Sequence, residues 1–212
     1  MTNLKPILFS TPMVQAILRG TKSQTRRIVK PQPEINHESG YVFDGKYKRQ
    51  YDLHNWREFF IEDWSKYQVN DILWVRETWH PKRHSFPIGE HFEYKATAAE
   101  YGQPTDEPWK PSIFMPKEAA RIFLKVTYVR VERLNDMSYE DAFAEGIPED
   151  KSEHLKWNRL YPDYLKRRPG VLSACLTPKS SYRSLWDSIN GEGSFDKNPW
   201  VWVYEFERIE KP

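Results

Sequence analysis

The stretch that decides the fold is IFLKVTYVRVER, residues 122–133. Apolar side chains recur at every second position from its start: Ile122, Leu124, Val126 and Tyr128. Because successive side chains of a strand point to opposite faces, this alternation predicts a β-strand with one buried face. A second stretch, WVWVYEF at residues 200–206, alternates in the same way. The two stretches together predict a fold dominated by strands.

Shorter elements surround these two strands. Residues 6–9 and 72–75 are apolar runs that predict two further strands. Apolar side chains at helical spacing, or helix-capping residues, predict helices in four places: between Ser10 and Gly20, through residues 56–64, over residues 139–145 and over residues 182–189. Ser138 with Asp141 three residues later is typical of a capping box, which places the start of the third of these helices.

Three long segments rich in proline, charge and aromatic side chains interrupt these elements, at about residues 31–68, 81–116 and 148–178. The sequence contains no internal repeat and no low-complexity tract. Strands separated by short helices and long loops favour a mixed β-barrel with α additions over a parallel α/β sheet. We therefore expect one α+β domain over residues 1–212, with long loop insertions.

Composition and charge limit the classes of function. The net charge of +2 and the pI near 8.5 are only mildly basic, so charge alone does not indicate a nucleic-acid partner. The nine tryptophans suit a core, and they also suit surfaces that stack on bases. Cys175 is the only cysteine, which excludes an internal disulfide and favours a reducing compartment. The sequence lacks the apolar run of a signal peptide or a membrane span, so we expect a cytoplasmic protein without a membrane partner.

The first candidate site is the stretch GTKSQTRR, residues 20–27. It combines three cations with four Ser, Thr or Gln side chains, and residues 1–33 contain no Asp or Glu. Nothing nearby in the sequence neutralises this positive charge. A lysine beside a hydroxyl group in such a segment suits binding of an anion or polarisation of a carbonyl group.

Three motifs carry a resemblance to a known family: Gly20-x-Lys22-x-x-Thr25-Arg26, Asn70-Asp71-Ile72-Leu73 and Ala142-x-x-Glu145-Gly146. Together they resemble the ASCH family, a branch of the PUA-like β-barrel superfamily associated with RNA. The chain looks most like the longer, phage- and prophage-associated members, through the stretches DILWVRETW at residues 71–79 and NPWVWV at residues 198–203. The similarity to the short ASCH proteins covers about half the chain. The resemblance implies a PUA-like mixed β-barrel with short helices.

The resemblance also implies an activity. Some small bacterial ASCH proteins are amidohydrolases that remove the acetyl group from N4-acetylcytidine with a lysine, a threonine and a glutamate. These residues fall on Lys22, Thr25 and Glu145 of this chain. The function so implied is hydrolysis of an exocyclic amide on a modified nucleoside or an RNA base. Because other family members bind or cleave RNA, a non-catalytic RNA- or DNA-binding module and a metal-independent ribonuclease are the alternatives.

Amide hydrolysis needs a nucleophile, a proton carrier and a cation or donor at the developing oxyanion. In one version Thr25 attacks, assisted by Lys22, and Glu145 protonates the leaving amine. In the other version Glu145 activates water and Thr25 positions the substrate. A purely structural interpretation leaves Lys22 and Thr25 on a solvated turn and Glu145 in the last turn of a helix. A carboxylate is unfavourable at that end of a helix without a cation, which predicts a partner such as Lys22.

Arg26 and Arg27 are candidates for contacts with a phosphate or a base, because a guanidinium group offers a rigid fork of donors. The alternative for either arginine is an ion pair with an acid such as Glu77. No protein partner can be identified from the sequence.

The end of the strand at residues 72–75 supplies the remaining candidates. Arg76 and Glu77 are predicted to form a polar wall of the site, and Trp79 is predicted to stack on a base. Trp74 lies inside an apolar strand and is expected to be core. His80 and His84 are four residues apart, but Pro81 interrupts any helix that would align them. We therefore predict no metal and no other cofactor.

Overall fold

The computed structural model describes residues 4–82, 91–98, 108–148, 160–165 and 174–212. The strands are β1 (Leu4–Leu8), β2 (Gln24–Ile28), β3 (Glu34–Asn36), β4 (Tyr41–Phe43), β5 (Gln50–Asp52), β6 (Ile72–Arg76), β7 (Trp79–Lys82), β8 (His91–Tyr94), β9 (Phe123–Arg133), β10 (Tyr161–Pro162), β11 (Ala174–Cys175) and β12 (Trp200–Ile209). The helices are α1 (Thr11–Leu18), α2 (Trp56–Trp64), α3 (Tyr139–Ala144) and α4 (Pro178–Asn190).

The main sheet is mixed, with the strand order β1-β6-β9-β12-β2. Strand β1 runs parallel to β6, whereas β6 pairs antiparallel with β9 and β12 pairs antiparallel with β2. Within the described residues this sheet is not closed into a barrel. The structure therefore confirms an α+β fold with a mixed sheet, and the PUA-like barrel stays a prediction.

The chain divides into two compact units. The first contains Met1–Gly20, Val69–Thr127 and Phe206–Pro212, and the second contains Thr21–Gln68 and Tyr128–Glu205. Strands β9 and β12 contribute residues to both units. The expectation that residues 1–212 act as a single domain stays a prediction.

In the first unit, helix α1 follows β1 as expected. Pro12 lies in its first turn, and its buried face consists of Val14, Ala16 and Ile17. Ser10 occupies the N-cap position but makes no side-chain hydrogen bond there. The chain leaves the helix at Gly20, whose φ of 73° lies in the left-handed region that glycine adopts without strain. The helix thus ends just before the cationic stretch at residues 20–27.

In the second unit, the segment predicted as an insertion at residues 31–68 has a structure of its own. Strands β3, β4 and β5 form a three-stranded antiparallel sheet. Helix α2 follows, which confirms the predicted helix, and it buries Trp56 and Phe60. The Phe60 ring stacks on Trp202 of β12 with the ring centroids 5.3 Å apart. Aromatic packing therefore attaches this segment to the core of its unit.

Capping boxes begin the two remaining helices of the second unit. In α3, Ser138 Oγ accepts a hydrogen bond from the Asp141 N–H, and the Asp141 carboxylate accepts one from the Ser138 N–H, which confirms the predicted box. Helix α4 begins at Pro178, four residues before the predicted start. Its reciprocal box joins Thr177 and Ser180. This box lies outside the predicted helix, although Thr-Pro is a strong start signal.

Strand β9 differs from its prediction at one position. Ile122, Leu124 and Val126 are buried as expected, but Tyr128 is 52% exposed. The alternation of buried side chains shifts by one position at Thr127 and Tyr128, which are both exposed. Beyond them, Val129 and Val131 are the buried residues. The prediction of a buried Tyr128 was therefore wrong. None of the helices in the described ranges is both long enough and apolar enough to cross a membrane.

Candidate functional site

The candidate site is built from β2 and from the end of α3, both in the second unit. Side chains alternate along a strand, so Gln24 and Arg26 share one face of β2. Residues Asp141 and Glu145 lie four positions apart, at the first turn and at the C-cap of α3, which places both acids on one side of this short helix. The donors of β2 and the acids of α3 meet in the interior of the unit.

Lys22 and Glu145 are in direct contact, as the sequence predicted. Lys22 Nζ lies 2.8 Å from Glu145 Oε2 and also donates to two main-chain oxygens, those of Glu145 at 2.9 Å and of Gln24 at 2.7 Å. The Lys22 side chain has 0% exposed surface and the Glu145 side chain 3%. An ammonium group has three N–H donors, so these three oxygens use all of them. Lys22 therefore does not lie on a solvated turn.

Arg26 joins the same carboxylate from the other side. Its Nη1 donates to Glu145 Oε1 at 3.2 Å, and its Nη2 lies 2.7 Å from Glu132 Oε1 and 3.1 Å from Asp141 Oδ2. Arg130 in turn pairs with Glu132 and Asp141, each at 2.8 Å. A guanidinium group shared between several carboxylates is a strong, geometrically defined contact.

We refer to these groups together as the ion cluster: Lys22, Arg26, Arg130, Glu132, Asp141, Glu145 and Glu205. Its exposure rises from 0% at the side chains of Lys22 and Arg26 to 39% at Glu205, which pairs with Arg130. The cluster therefore has a buried end at Lys22 and an exposed end at Glu205. Charges at the buried end are the costly ones to leave unpaired.

The surroundings lower the pKa values of Lys22 and Asp141 for different reasons. Burial lowers the pKa of the Lys22 ammonium, and the nearby Glu145 carboxylate only partly offsets this. Burial also acts to raise the pKa of Asp141, but the hydrogen bond from the Ser138 N–H and the charge of Arg26 outweigh it and lower the pKa to about 2. Asp141 is therefore held as a carboxylate, whereas Lys22 holds its proton less firmly than an exposed lysine.

Thr25 lies next to these residues in the chain but on the other face of β2. It pairs with Tyr204 of β12, and the same alternation that directs Arg26 toward α3 directs Thr25 away from it. On that face the Tyr204 ring packs against Tyr67 with a centroid distance of 5.0 Å. Thr25 is buried there. The structure thus brings Lys22 and Glu145 together and leaves the Thr25 side chain outside the ion cluster.

The two arginines predicted to contact a phosphate differ in their surroundings. Arg26 is buried within the ion cluster and has no exposed side-chain surface to offer a phosphate in this arrangement. Its acidic partners are those of the ion cluster rather than Glu77. Arg27 is half-buried on the face of β2 opposite Arg26. Its charge acts with burial to lower the pKa of Lys22.

In the first unit, Glu77 is buried and pairs with Arg121. The guanidinium group of Arg121 donates to both carboxylate oxygens, at 2.9 and 3.0 Å, and lies over the Tyr94 ring at 3.9 Å from its centroid. Arg76 donates to the main-chain oxygen of Ile113. Arg76 and Glu77 are thus engaged in contacts within this unit.

The burial of the two tryptophans near β6 differs from the prediction. Trp79, the predicted stacking residue, is only 6% exposed and packs against Phe92 with the ring centroids 5.6 Å apart. Trp74, predicted to be core, is half-buried beneath the Arg76 guanidinium group. Position in an apolar run did not determine burial here, because burial depends on which face of the strand is covered.

Sequence reasoning missed Arg130, Glu132, Asp141 and Glu205 as members of the site. For the first three the signal was present in two spacings. Arg130 and Glu132 alternate with the apolar Val129 and Val131 on β9, and Asp141 lies one helical turn before Glu145. Asp141 was recognised only as a capping residue. It fills both roles, because one oxygen accepts from Ser138 and the other from Arg130.

Of the two histidines considered for a metal, His84 lies outside the described residues, and His80 Nδ1 lies 2.6 Å from the main-chain oxygen of Pro81. Among the residues that the structure describes, no group of three or more His, Cys, Asp or Glu side chains is arranged to hold a metal ion. Comparisons with models of protein families, with curated proteins and with solved structures found no match.

Proposed function

We propose that this protein is an ASCH-type amidohydrolase that acts on an exocyclic amide of a modified nucleoside or RNA base, such as that of N4-acetylcytidine. The observation that carries the proposal is the contact between Lys22 and Glu145, at 2.8 Å, inside the second unit. The family resemblance assigns chemistry to these two residues, and they meet although 123 positions separate them. A cation and a carboxylate at this distance are two of the groups that amide hydrolysis needs.

In the proposed reaction Glu145 takes a proton from water, and the resulting hydroxide attacks the acyl carbon. The Lys22 ammonium group stabilises the negative charge that develops on the acyl oxygen. When the carbon–nitrogen bond breaks, the proton held by Glu145 passes to the leaving nitrogen. The products are the free exocyclic amine and a carboxylic acid. The same dry surroundings that lower the pKa of Lys22 strengthen its attraction for an oxyanion.

The closed arrangement sets a condition on this reaction. Because Lys22 Nζ already donates to three oxygens, the acyl oxygen of a substrate has to replace one of them. Binding therefore includes a local opening at the buried end of the ion cluster. The position of Thr25 on the opposite face of β2 favours the version in which water is the nucleophile.

The test is release of cytidine from N4-acetylcytidine by the purified protein, followed by chromatography. Glu145→Gln keeps the shape of the side chain and should lower turnover by about 10²- to 10⁴-fold, the usual contribution of a general acid–base group. Glu132→Gln is the matched control. It removes a carboxylate from the same arginine without touching Lys22, and it should retain turnover.

Two results would overturn the proposal. One is the absence of hydrolysis by the wild-type protein across a panel of N4-acylated cytidines, both as free nucleosides and within RNA. The other is equal loss of turnover in Glu145→Gln and Glu132→Gln, with equal loss of stability. That second result would mean that Glu145 acts only through the integrity of the ion cluster.

A nucleic-acid-binding module without catalysis is the second candidate. The complete burial of the Lys22 and Arg26 side chains favours it, because a buried and fully paired ion cluster can serve structure alone. This candidate predicts salt-dependent binding of oligonucleotides that is unchanged in Glu145→Gln, together with no hydrolysis of any acylated nucleoside.

A further inference from the structure

The loop between β4 and β5 presents an aromatic ring to solvent. Tyr47 is 63% exposed, although its phenol ring is large and mostly apolar. Single exposed aromatic side chains are common on protein surfaces, so exposure alone would carry no inference. The setting of this ring is what distinguishes it.

Hydrogen bonds to the side chain of Asp44 hold the loop that carries Tyr47 in one conformation. The Asp44 side chain is buried, and its Oδ1 accepts hydrogen bonds from the main-chain N–H groups of Lys46, Tyr47 and Lys48 at 2.7–2.8 Å. Lys48 has a φ of 57°, in the left-handed region, which the loop maintains. A side chain on such a loop is presented at low cost in conformational entropy.

The Tyr47 ring is also supported by a second ring. It stacks on Trp64 at the end of α2, with centroids 5.4 Å apart and the ring planes 26° from parallel. Trp64 is fixed in turn by a hydrogen bond of 2.7 Å from its Nε1 to the Tyr51 hydroxyl oxygen. The result is a two-ring stack, anchored at the helix and exposed at Tyr47.

Cations flank the exposed ring. Lys46 Nζ lies over the Tyr47 ring, 4.6 Å from its centroid, and within the described ranges of the chain Lys46 forms no ion pair. Lys48 and Arg49 follow directly, in contacts with Glu34 and Asp63 whose side chains are also exposed. Exposed ion pairs of this kind contribute little to stability, so another anion can replace the carboxylate partner of Lys48 or Arg49.

We propose that Tyr47, Trp64 and Lys46 form a contact site for single-stranded nucleic acid, separate from the ion cluster. One base displaces the exposed Lys46 ammonium group from over the ring and stacks on Tyr47, and the displaced ammonium group contacts the phosphate of the strand. Stacking suits any base, since every base has a π-face, so the site favours single strands without selecting a sequence. A duplex, whose bases are already stacked on one another, gains no such contact.

The experiment measures the affinity of the full chain for a short labelled RNA of mixed sequence, with a single-stranded DNA and an RNA duplex of the same sequence as further arms. Tyr47→Ala should weaken binding of both single strands by about 5- to 150-fold, the effect of losing one stacked base. Tyr47→Phe keeps the ring and should bind as the wild type does. Tyr128→Ala, which removes another half-exposed tyrosine of the same unit, is the matched control and should leave the affinity unchanged.

Lys46→Gln tests the phosphate contact independently of the ring. It should reduce the slope of log affinity against log salt by about 0.7, the value for one phosphate contact to a single strand. Wild-type affinity in Tyr47→Ala, loss of affinity in Tyr128→Ala equal to that in Tyr47→Ala, or failure of the wild-type chain to bind either single strand would each overturn the proposal. An affinity for the RNA duplex equal to that for the single strands would also overturn the proposal.

This site does not depend on the proposed amidohydrolase activity, and the two can fail separately. Hydrolysis of free N4-acetylcytidine involves no strand, so Tyr47→Ala should leave it at the wild-type rate. Strand binding that depends on Tyr47, without hydrolysis, would support the stacking site and contradict the amidohydrolase proposal. Hydrolysis of N4-acetylcytidine, with strand binding unchanged in Tyr47→Ala, would support the amidohydrolase proposal and contradict the stacking site.

Discussion

Lys22 contacts Glu145 through both its side chain and its main chain. The ammonium group donates to the carboxylate at 2.8 Å and to the main-chain oxygen at 2.9 Å, and the two residues also form an isolated antiparallel β-bridge. The side chain and the backbone of Glu145 are thus held by one lysine. This contact fixes the end of α3 to the segment that leads into β2.

Replacing one partner of the Lys22–Glu145 pair should lower the free energy of unfolding more than replacing both partners does. Lys22→Met or Glu145→Met alone leaves a buried charge with a lost partner, and we expect each to lower the free energy of unfolding by about 3–5 kcal/mol. The double variant removes both charges, and Arg26 keeps Glu132 and Asp141 as partners. Its stability should lie closer to the wild type than that of either single variant. Urea unfolding of all four proteins measures this, and strictly additive losses would contradict it.

Thr25→Val should retain hydrolysis of N4-acetylcytidine if water is the nucleophile. Valine has nearly the shape of threonine without the hydroxyl group, and Thr25 faces away from the Lys22–Glu145 pair. Comparison of kcat between Thr25→Val and Thr25→Ser separates the two versions of the reaction. A loss of several orders of magnitude in the valine variant, with activity kept in the serine variant, would identify the threonine oxygen as the attacking group.

Acid should destabilise the second unit through Asp141. Its pKa is about 2 in the folded protein, below the value of about 3.9 for an unperturbed aspartate. A depressed pKa contributes stability that is present above about pH 4 and is lost as the pH falls toward 2. The contribution is on the order of 2 kcal/mol. Denaturant unfolding across this range should show a shallower pH dependence for Asp141→Asn than for the wild type. An unchanged pH dependence would contradict the assignment.

The buried Glu77 should make Arg121 important for the first unit. Arg121→Met would leave the Glu77 carboxylate buried without its bidentate partner, and we expect a loss of about 3–5 kcal/mol in the free energy of unfolding. Arg121→Lys should recover only part of this loss, because an ammonium group cannot bind both oxygens in the same fork. Lys125→Met, on β9 four residues after Arg121, provides the control for loss of a cation. A lysine variant as stable as the wild type would show that bidentate geometry is not required.

Local signals predicted the elements well. The capping box of Ser138 and Asp141, the Pro12 start of α1 and the alternation at the beginning of β9 all act within a few residues, and each has the expected structural result. Tyr128 was mispredicted because a change of the buried face within one strand depends on the layers packed against it. The alternation of the sequence does not contain that information.

The candidate site was only partly predictable. The pairing of Lys22 with Glu145 followed from the family resemblance and from the need of a carboxylate at a helix C-terminus for a cation. The position of Thr25 could have been foreseen from strand alternation, once the strand was known to begin at Gln24. The partners of Arg26 could not have been foreseen, because Glu132 and Glu145 lie 106 and 119 residues away on two different elements.

The sequence by itself determined where the helices and four of the five strands of the main sheet form, because alternation, apolar spacing and capping act through neighbouring residues; it did not predict β2. Only the tertiary structure decided which charges are buried together, which face of β2 carries the ion cluster, and which of Trp74 and Trp79 is covered. Burial and ion pairing depend on surfaces brought together from distant parts of the chain, and the cost of an unpaired buried charge then selects the partners.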